Sequence, residues 1–256
     1  MLRVFRRPPP SAANVMKSPL SSICTRLLLA ASLFGATAGL HAAAPKPTEV
    51  PDTMEQRLLA CATCHGKQGQ GSAKNATYPP LAGKAEGYLY NQLLNFRDGR
   101  RRYAVMNYML GFLSDAYLRE IAEHYSRLPP AHQPRPTGLS SSMLARGEAL
   151  VTLGDPARKL PACNECHGKS LTGTPPFIPR LVGLSQDYIA QQMGAWQVHG
   201  RRAKEPDCMA QIAALLTADE ISAVGGWLAS LPAPSNAASP VHAAKLPMEC
   251  GSLTQQ

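Results

Sequence analysis

The 256 residues are 45 % hydrophobic and only 17 % charged, enough for two small domains with separate cores. Twenty glycines and 23 prolines predict short helices joined by long loops. The formal charge of +9 does not indicate a nucleic-acid partner. It falls to +4 without residues 1–44, which hold five basic and no acidic side chains, and the remaining basic residues are not interleaved with aromatics.

At the N-terminus, Arg3, Arg6, Arg7, Lys17 and Arg26 precede an apolar run from Leu27 to Leu40, and Ala42-Ala43-Ala44 follows. This order is that of an export signal, so residues 1–44 are expected to be cleaved near Ala44 and the mature chain to reach the periplasm. Met16-Lys17 offers a second, more compact start. The apolar run is broken by Ser32, Gly35 and Thr37 and falls short of a membrane span. An uncleaved anchor is the competing reading.

The mature chain opens on Cys61-Ala-Thr-Cys64-His65. C-x-x-C-H is the attachment pattern of a c-type haem. On a helix these positions share one face, so two thiols can bond the vinyl groups of one porphyrin while the histidine reaches the iron. Zinc would need four close ligands, and a redox dithiol would sit among alternating strands and helices, a pattern this sequence lacks. Pro79-x-Leu81-x-Gly83 comes next, then Tyr88, Gln92 and Phe96 at helical spacing, then Gly99-Arg100-Arg101, then Met106 and Met109. Ser114 suits an N-cap. It opens a segment with Leu118, Ile121, Tyr125 and Leu128 on one apolar stripe, stopped by Pro129. Prolines 129, 130, 134 and 136 mark a linker, residues 131–140.

The same order then returns. Cys163-Asn-Glu-Cys166-His167 is followed by Pro179-x-Leu181-x-Gly183, by Tyr188, Gln192 and Trp196, by Gly200-Arg201-Arg202, and by Met209. Thr217 with Glu220 forms a capping box, and Ile221, Val224, Leu228 and Leu231 make the second stripe. The period is too long for a solenoid and predicts two similar all-α domains in tandem, residues 45–130 and 141–232. Residues 233–256 read as an irregular tail that either wraps the second domain or is disordered.

A distal ligand separates electron transfer from catalysis, and methionine sulfur suits the former. Met106 and Met209 match in register, with 41 and 42 residues from His65 and His167; Met109 falls opposite Ile212 and reads as packing. His124 and His199 have no histidine counterparts and, like His132 and His242, read as surface residues. Pro79 and Pro179 are candidates to offer a carbonyl to the other nitrogen of each proximal histidine. Arg100–Arg102 and Arg201–Arg202 either meet haem propionates or sit in solvated loops. Of seven cysteines, Cys24 leaves with the signal and four belong to the motifs. Export favours pairing of the remaining Cys208 and Cys250. A free Cys208 would instead offer a thiolate in place of Met209.

With these residues the chain resembles the dihaem cytochrome c4 family. The likeness rests on Cys61–His65, Pro79–Gly83, Tyr88–Gln92, Met106–Met109, their second-half counterparts, and the stretch from Gly147-Glu148 to Cys163. It covers roughly residues 53–232. The resemblance implies two class I cytochrome c domains related by a pseudo-two-fold axis, with two covalently attached haem c groups. Their ligands would be Cys61, Cys64, His65 and Met106, then Cys163, Cys166, His167 and Met209. It further implies a periplasmic electron carrier without substrate turnover, free or peripherally attached to the membrane. Its partners would be a terminal oxidase, a quinol–cytochrome c oxidoreductase or a dehydrogenase. Met54, where a small glycine often opens the first helix, and the added Cys208 and Cys250 depart from the family pattern. Two rival expectations stand beside this one: a catalytic dihaem enzyme of peroxidase or thiosulfate dehydrogenase type, and an electron-accepting subunit of a dehydrogenase complex.

Overall fold

Most helices begin at an oxygen-bearing side chain that accepts an otherwise orphaned backbone N–H. The computed structural model describes residues 50–130, 137–232 and 246–254. The expected signal segment with its alternative start and Cys24, most of the expected linker with His132, and His242 lie outside them. Helix α1 (Met54–His65) starts at Thr53, α4 (Asp115–Arg127) at Ser114, α5 (Ser141–Thr152) at Ser140 and α7 (Gln186–Gln197) at Ser185. Asp207 caps α8 (Cys208–Ala214). Thr217 and Glu220 cap α9 (Ala218–Ser230) reciprocally, at 3.2 and 3.1 Å, as the capping box predicts. The remaining helices are α2 (Glu86–Arg97), α3 (Ala104–Leu110) and α6 (Cys163–His167). Ala85 gives α2 no side-chain cap; instead the second half supplies one, with Pro176 O accepting Tyr88 N–H at 3.0 Å. Among the described residues β-structure is confined to isolated bridges, so the fold is all-α.

Two hydrophobic cores form. The first gathers Leu58, Leu89, Tyr90, Leu94, Phe96 and Leu110 under Leu118, Ile121 and Tyr125 of α4. The second gathers Leu150, Val151, Leu160, Tyr188, Ile189, Met193 and Trp196 under Ile221, Val224 and Leu228 of α9. Both predicted stripes therefore face inward, with Leu128 and Leu231 packed at the margins.

The terminal helices meet differently in the two halves. In the second, α5 crosses α9 at Gly147, where an added Cβ would come within 2.2 Å of Ala223 O and 3.0 Å of Trp227 Cβ. In the first, α1 reaches α4 through a side chain. Arg57 pairs with Glu120 and stacks 4.8 Å over the Tyr117 ring. Between the halves, Arg101 and Arg201 form an antiparallel bridge, with Arg102 N donating to Gly200 O and Arg202 N to Arg100 O, both at 2.8 Å. Among the described residues no single helix is long and apolar enough to cross a membrane.

Gly147→Val should lower the chemical unfolding midpoint by the equivalent of about 1–3 kcal/mol, the usual cost of overpacking. Gly194 in α7 has open space around it. Gly194→Ala should therefore be neutral or stabilise by about 0.5–1 kcal/mol. Denaturant titration of both variants checks the contrast; equal effects would contradict the close α5–α9 crossing.

Candidate functional site

The last turn of α1 carries Cys61, Cys64 and His65 to the wall of a cleft, and α6 carries Cys163, Cys166 and His167 to a second. Both histidines are buried. His65 Nδ1 lies 2.9 Å from Pro79 O, and His167 Nδ1 lies 2.8 Å from Pro179 O. A carbonyl only accepts, so each Nδ1 carries the proton and each Nε2 keeps a free lone pair. Burial lowers the pKa of both rings, reinforced by the charge of Arg101 at His65 and of Lys84 at His167 and opposed by the two carbonyls. The neutral form suited to binding a metal is therefore favoured. Burial also raises the thiols of Cys61 and Cys166 and pushes Cys163 up to about 12, the reverse of a reactive redox dithiol.

The loops that bring these carbonyls back follow one design. Gly71 N–H binds His65 O at 2.8 Å, and Gly69 O accepts from Leu81 and Ala82 at 2.7 and 3.0 Å. In the second half Gly173 N–H binds His167 O at 3.0 Å, and Leu171 O accepts from Leu181 at 2.8 Å. Gly69 is left-handed at φ 63°, and its Cβ would meet the Tyr125 ring at 2.7 Å. Leu171 adopts the same left-handed region at φ 56°. The motifs pointed to the prolines but not to these turn positions, which lie outside the repeated pattern.

Met106 and Met109 both line the first cleft; Met209 lines the second together with Met193, Met248 and Ile212. The register follows from the buried Leu110 and Ala213, whose carbonyls accept from Leu113 and Leu216 in turn. That register matches Met106 to Met209 and Met109 to Ile212. Two residues that the sequence reading missed hold these helices. Asn107 donates to Phe96 O and Arg101 O, the latter at 2.9 Å. Asp207, buried, accepts from Ala203 N at 2.7 Å and Trp196 Nε1 at 3.3 Å.

The arginine loops are not solvated throughout. Arg101 and Arg201 are buried, and their guanidinium groups cross between the halves. Arg101 donates to Gln92 at 2.9 Å, Gln192 at 2.7 Å and Tyr188 at 3.1 Å; Arg201 donates to Gln192 at 2.9 Å, Gln92 at 3.1 Å and Tyr88 at 3.3 Å. Each also lies over an aromatic ring, Phe96 at 4.4 Å and Trp196 at 3.8 Å. This geometry corrects the register read from the repeated Gly-Arg-Arg. Arg101 N binds Asn95 O and Arg201 N binds Ala195 O, so Arg101 corresponds to Arg201, and His199 takes the left-handed place of Gly99. Arg102 and Arg202 are exposed, and so is His199.

Lys84 and Arg180 are buried beside this pair, and no carboxylate pairs with any of the four cations among the described residues. Burial pulls Lys84 down to about 8. Burial alone would raise Tyr188, yet Arg101, Arg201 and Lys84 outweigh it and bring the phenol below its usual range. The clefts enclose ≈ 1660 Å³ in the first half and ≈ 1450 Å³ in the second, open solvent at their mouths included, and their exposed lining is mainly apolar. Two thiols, an imidazole and methionine sulfur in each cleft, with four buried cations lining the clefts, fit two haem c groups, whose propionates would bring opposite charge.

Cys208 is bonded to Cys250, 42 residues away in sequence. The pairing expected of an exported chain thus ties the described tail to the start of α8. Leu246, Met248, Cys250 and Leu253 line the second cleft. Gly251 N–H donates to Pro206 O at 2.9 Å, and Asn91 Nδ2 of the first half donates to Ser252 O at 3.1 Å. The described tail therefore wraps the second half and touches the first.

A Cytochrome c family model matches residues 56–123. A "Thiosulfate dehydrogenase electron acceptor" of Thiomonas intermedia is 36 % identical over 225 residues, 88 % of this chain and 98 % of that protein. A "Cytochrome c4" of Pseudomonas aeruginosa is 34 % identical, covering 69 % of this chain and 86 % of that protein. The crystal structure of reduced recombinant cytochrome c4 from Pseudomonas stutzeri superposes with a TM-score of 0.61 at 28 % identity, covering 70 % and 96 % of the two chains.

Peptide mapping of the unreduced protein should recover Cys208 and Cys250 as one linked pair. Replacing both with serine should cost about 3–4 kcal/mol, from the loop closed in the unfolded chain, and should expose residues 246–254 to limited proteolysis. An unchanged cleavage pattern would show that the tail holds without the bond.

Proposed function

The chain belongs to the dihaem cytochrome c4 family, and we propose that it is a periplasmic carrier, not an enzyme, that accepts electrons from a dehydrogenase and passes them to a respiratory acceptor such as a terminal oxidase. One observation carries this reading. Each cleft is lined by a histidine whose Nδ1 is held by a proline carbonyl and by a methionine in matching register, which supports histidine and methionine as the ligand pair in both halves. The rival enzyme reading drew on a free thiolate at Cys208, and that sulfur is engaged in a disulfide. The dehydrogenase as donor is favoured by the likeness to the Thiomonas intermedia protein over nearly its full length. Periplasmic location is favoured by the signal-like residues 1–44 and by the disulfide. We read the domains as 45–130 and 141–232, joined by 131–140 and followed by the tail 233–256.

Haem c, when bound, supplies a one-electron ferric/ferrous couple. The chain does the rest. Cys61 and Cys64, and Cys163 and Cys166, hold the groups through thioethers. His65 and His167 offer Nε2, oriented by the Pro79 and Pro179 carbonyls. Met106 and Met209 offer sulfur, which favours the reduced iron and raises its potential. Asn107 and Asp207 fix the helices that carry those methionines. Arg101 and Arg201 would offset propionate charge, and their bonds to Gln92, Gln192, Tyr88 and Tyr188 keep the two halves in one register.

Visible and near-infrared spectra should report two low-spin haems per chain, each with a sulfur-to-ferric-iron band. Met106→Leu should abolish about half of that band and Met109→Leu none; the reverse result would reassign the ligand. After a pulse that reduces one haem, electron redistribution should proceed at a rate independent of protein concentration. A concentration-dependent rate would contradict transfer within one molecule.

A further inference from the structure

Among the described residues the tail has no counterpart in the first half. Cys208 opens α8 directly before Met209, and its bond to Cys250 carries residues 246–254 onto the wall of the second cleft. Leu246, Met248 and Leu253 line that cleft together with Met209. At the matching register of the first half stands Val105, half exposed, and none of the described tail lines the first cleft. Gly251 N–H donates to Pro206 O at 2.9 Å, and Lys204 Nζ reaches Thr254 Oγ1 at 3.4 Å. An added Cβ on Gly251 would come within 2.2 Å of Glu205 O, so the tail lies directly on the turn that enters α8. On its other side, buried Asn91 of α2 donates to Ser252 O at 3.1 Å and to Thr254 O at 3.3 Å. The segment's own regular structure is one 3₁₀ turn, Gly251–Leu253. The bond and these contacts, not a fold of its own, keep it in place.

Loss of a distal ligand needs local opening of the chain that carries it, and a crosslink at the first residue of that helix opposes such opening. We propose that the bonded tail is a thiol-released latch on the second haem. Closed, it holds the Met209 helix in place and covers its side of the cleft. Released, it lets that helix open and gives a small ligand access to the second iron. The trigger is a dithiol donor, and both sulfurs of the bond are half-buried, within reach of one. One thiolate of the donor attacks a sulfur of the bond, and its second thiol resolves the mixed disulfide. The donor leaves as a disulfide, and Cys208 and Cys250 become thiols. Two electrons and two protons pass to the bond, and none pass to the iron. The inference rests on the carrier reading with two haems and adds a state in which the second is no longer closed.

Carbon monoxide binding to the ferrous holoprotein tests it, because this ligand takes the distal place only after methionine leaves. Ascorbate reduces the irons and spares the bond; dithiothreitol reduces both, and thiol counting verifies the cleavage. In the unsubstituted chain, dithiothreitol in place of ascorbate should speed binding at one haem per chain by roughly tenfold or more. In Met106→Leu, whose first haem is open from the start, the slow phase belongs to the second haem and should show the same gain. In Met209→Leu the slow phase reports Met106 and should keep its rate. Met106→Leu carrying Cys208→Ser and Cys250→Ser, reduced by ascorbate alone, should bind as fast as the dithiothreitol-treated Met106→Leu protein. The proposal is overturned if cleavage leaves the rates unchanged or if the Met106 phase gains equally. It is also overturned if the serine chain stays slow, since the opening would then belong to a new thiol and not to the released tail. A ferric Met106→Leu chain without a sulfur-to-iron band before treatment would overturn the carrier reading and the latch with it, so the two failures are distinguishable.

Discussion

Two guanidinium groups lie side by side where the halves meet, each resting on an aromatic ring of its own half and donating to the other half's tyrosine and glutamine. Burying like charges in this way costs several kcal/mol per ion unless opposite charge is near. Gln92 and Gln192 each accept from both arginines, so neither half can satisfy its own cation alone. Lys84 and Arg180 add to the same excess. Among the described residues no carboxylate pairs with these four cations, and haem propionates would supply the opposite charge.

This constraint orders the rest of the structure. The Tyr88–Phe96 and Tyr188–Trp196 helices serve two surfaces at once: their apolar side enters a core, and their tyrosine and glutamine meet the arginines. The loop after each C-x-x-C-H motif returns a proline carbonyl to the histidine. The loop before each methionine is pinned by Asn107 or Asp207 to the turn that carries the buried arginine. Ligand placement and interface geometry thus share the same few hydrogen bonds.

The symmetry between the halves is broken at several places. Gly147 lets α5 and α9 cross at close range, whereas α1 reaches α4 through Arg57. The tail, held by Cys208–Cys250, lines the second cleft. Val105, Tyr108 and Phe112 of the first half are largely exposed, at 50, 80 and 92 %. At the matching register the second half has Cys208, which is held in the disulfide, Gln211 and Leu215, which is 36 % exposed. Two copies of one ancestral pattern therefore give two unlike environments.

The sequence by itself determined the covalent chemistry and the periodicity. Cys-x-x-Cys-His dictates its own geometry over five residues, the stripes Leu118–Leu128 and Ile221–Leu231 declare their buried faces, and Ser114 and Thr217 mark where helices start. Two unclaimed cysteines behind a signal-like N-terminal segment are enough to suggest a bond. The tertiary structure alone decided the fate of the arginines. Glycine and arginine repeat too often for the eye to fix their register, and only the backbone bonds to Asn95 and Ala195 show that Arg101 answers Arg201. Asn107, Asp207, Gly69 and Leu171 were likewise silent, because their roles depend on partners far along the chain or on a backbone angle that no local pattern encodes. Burial of Lys84 was equally unreadable. A lysine after a glycine turn is ordinarily solvated, and it becomes an interior charge only when a second domain closes over it.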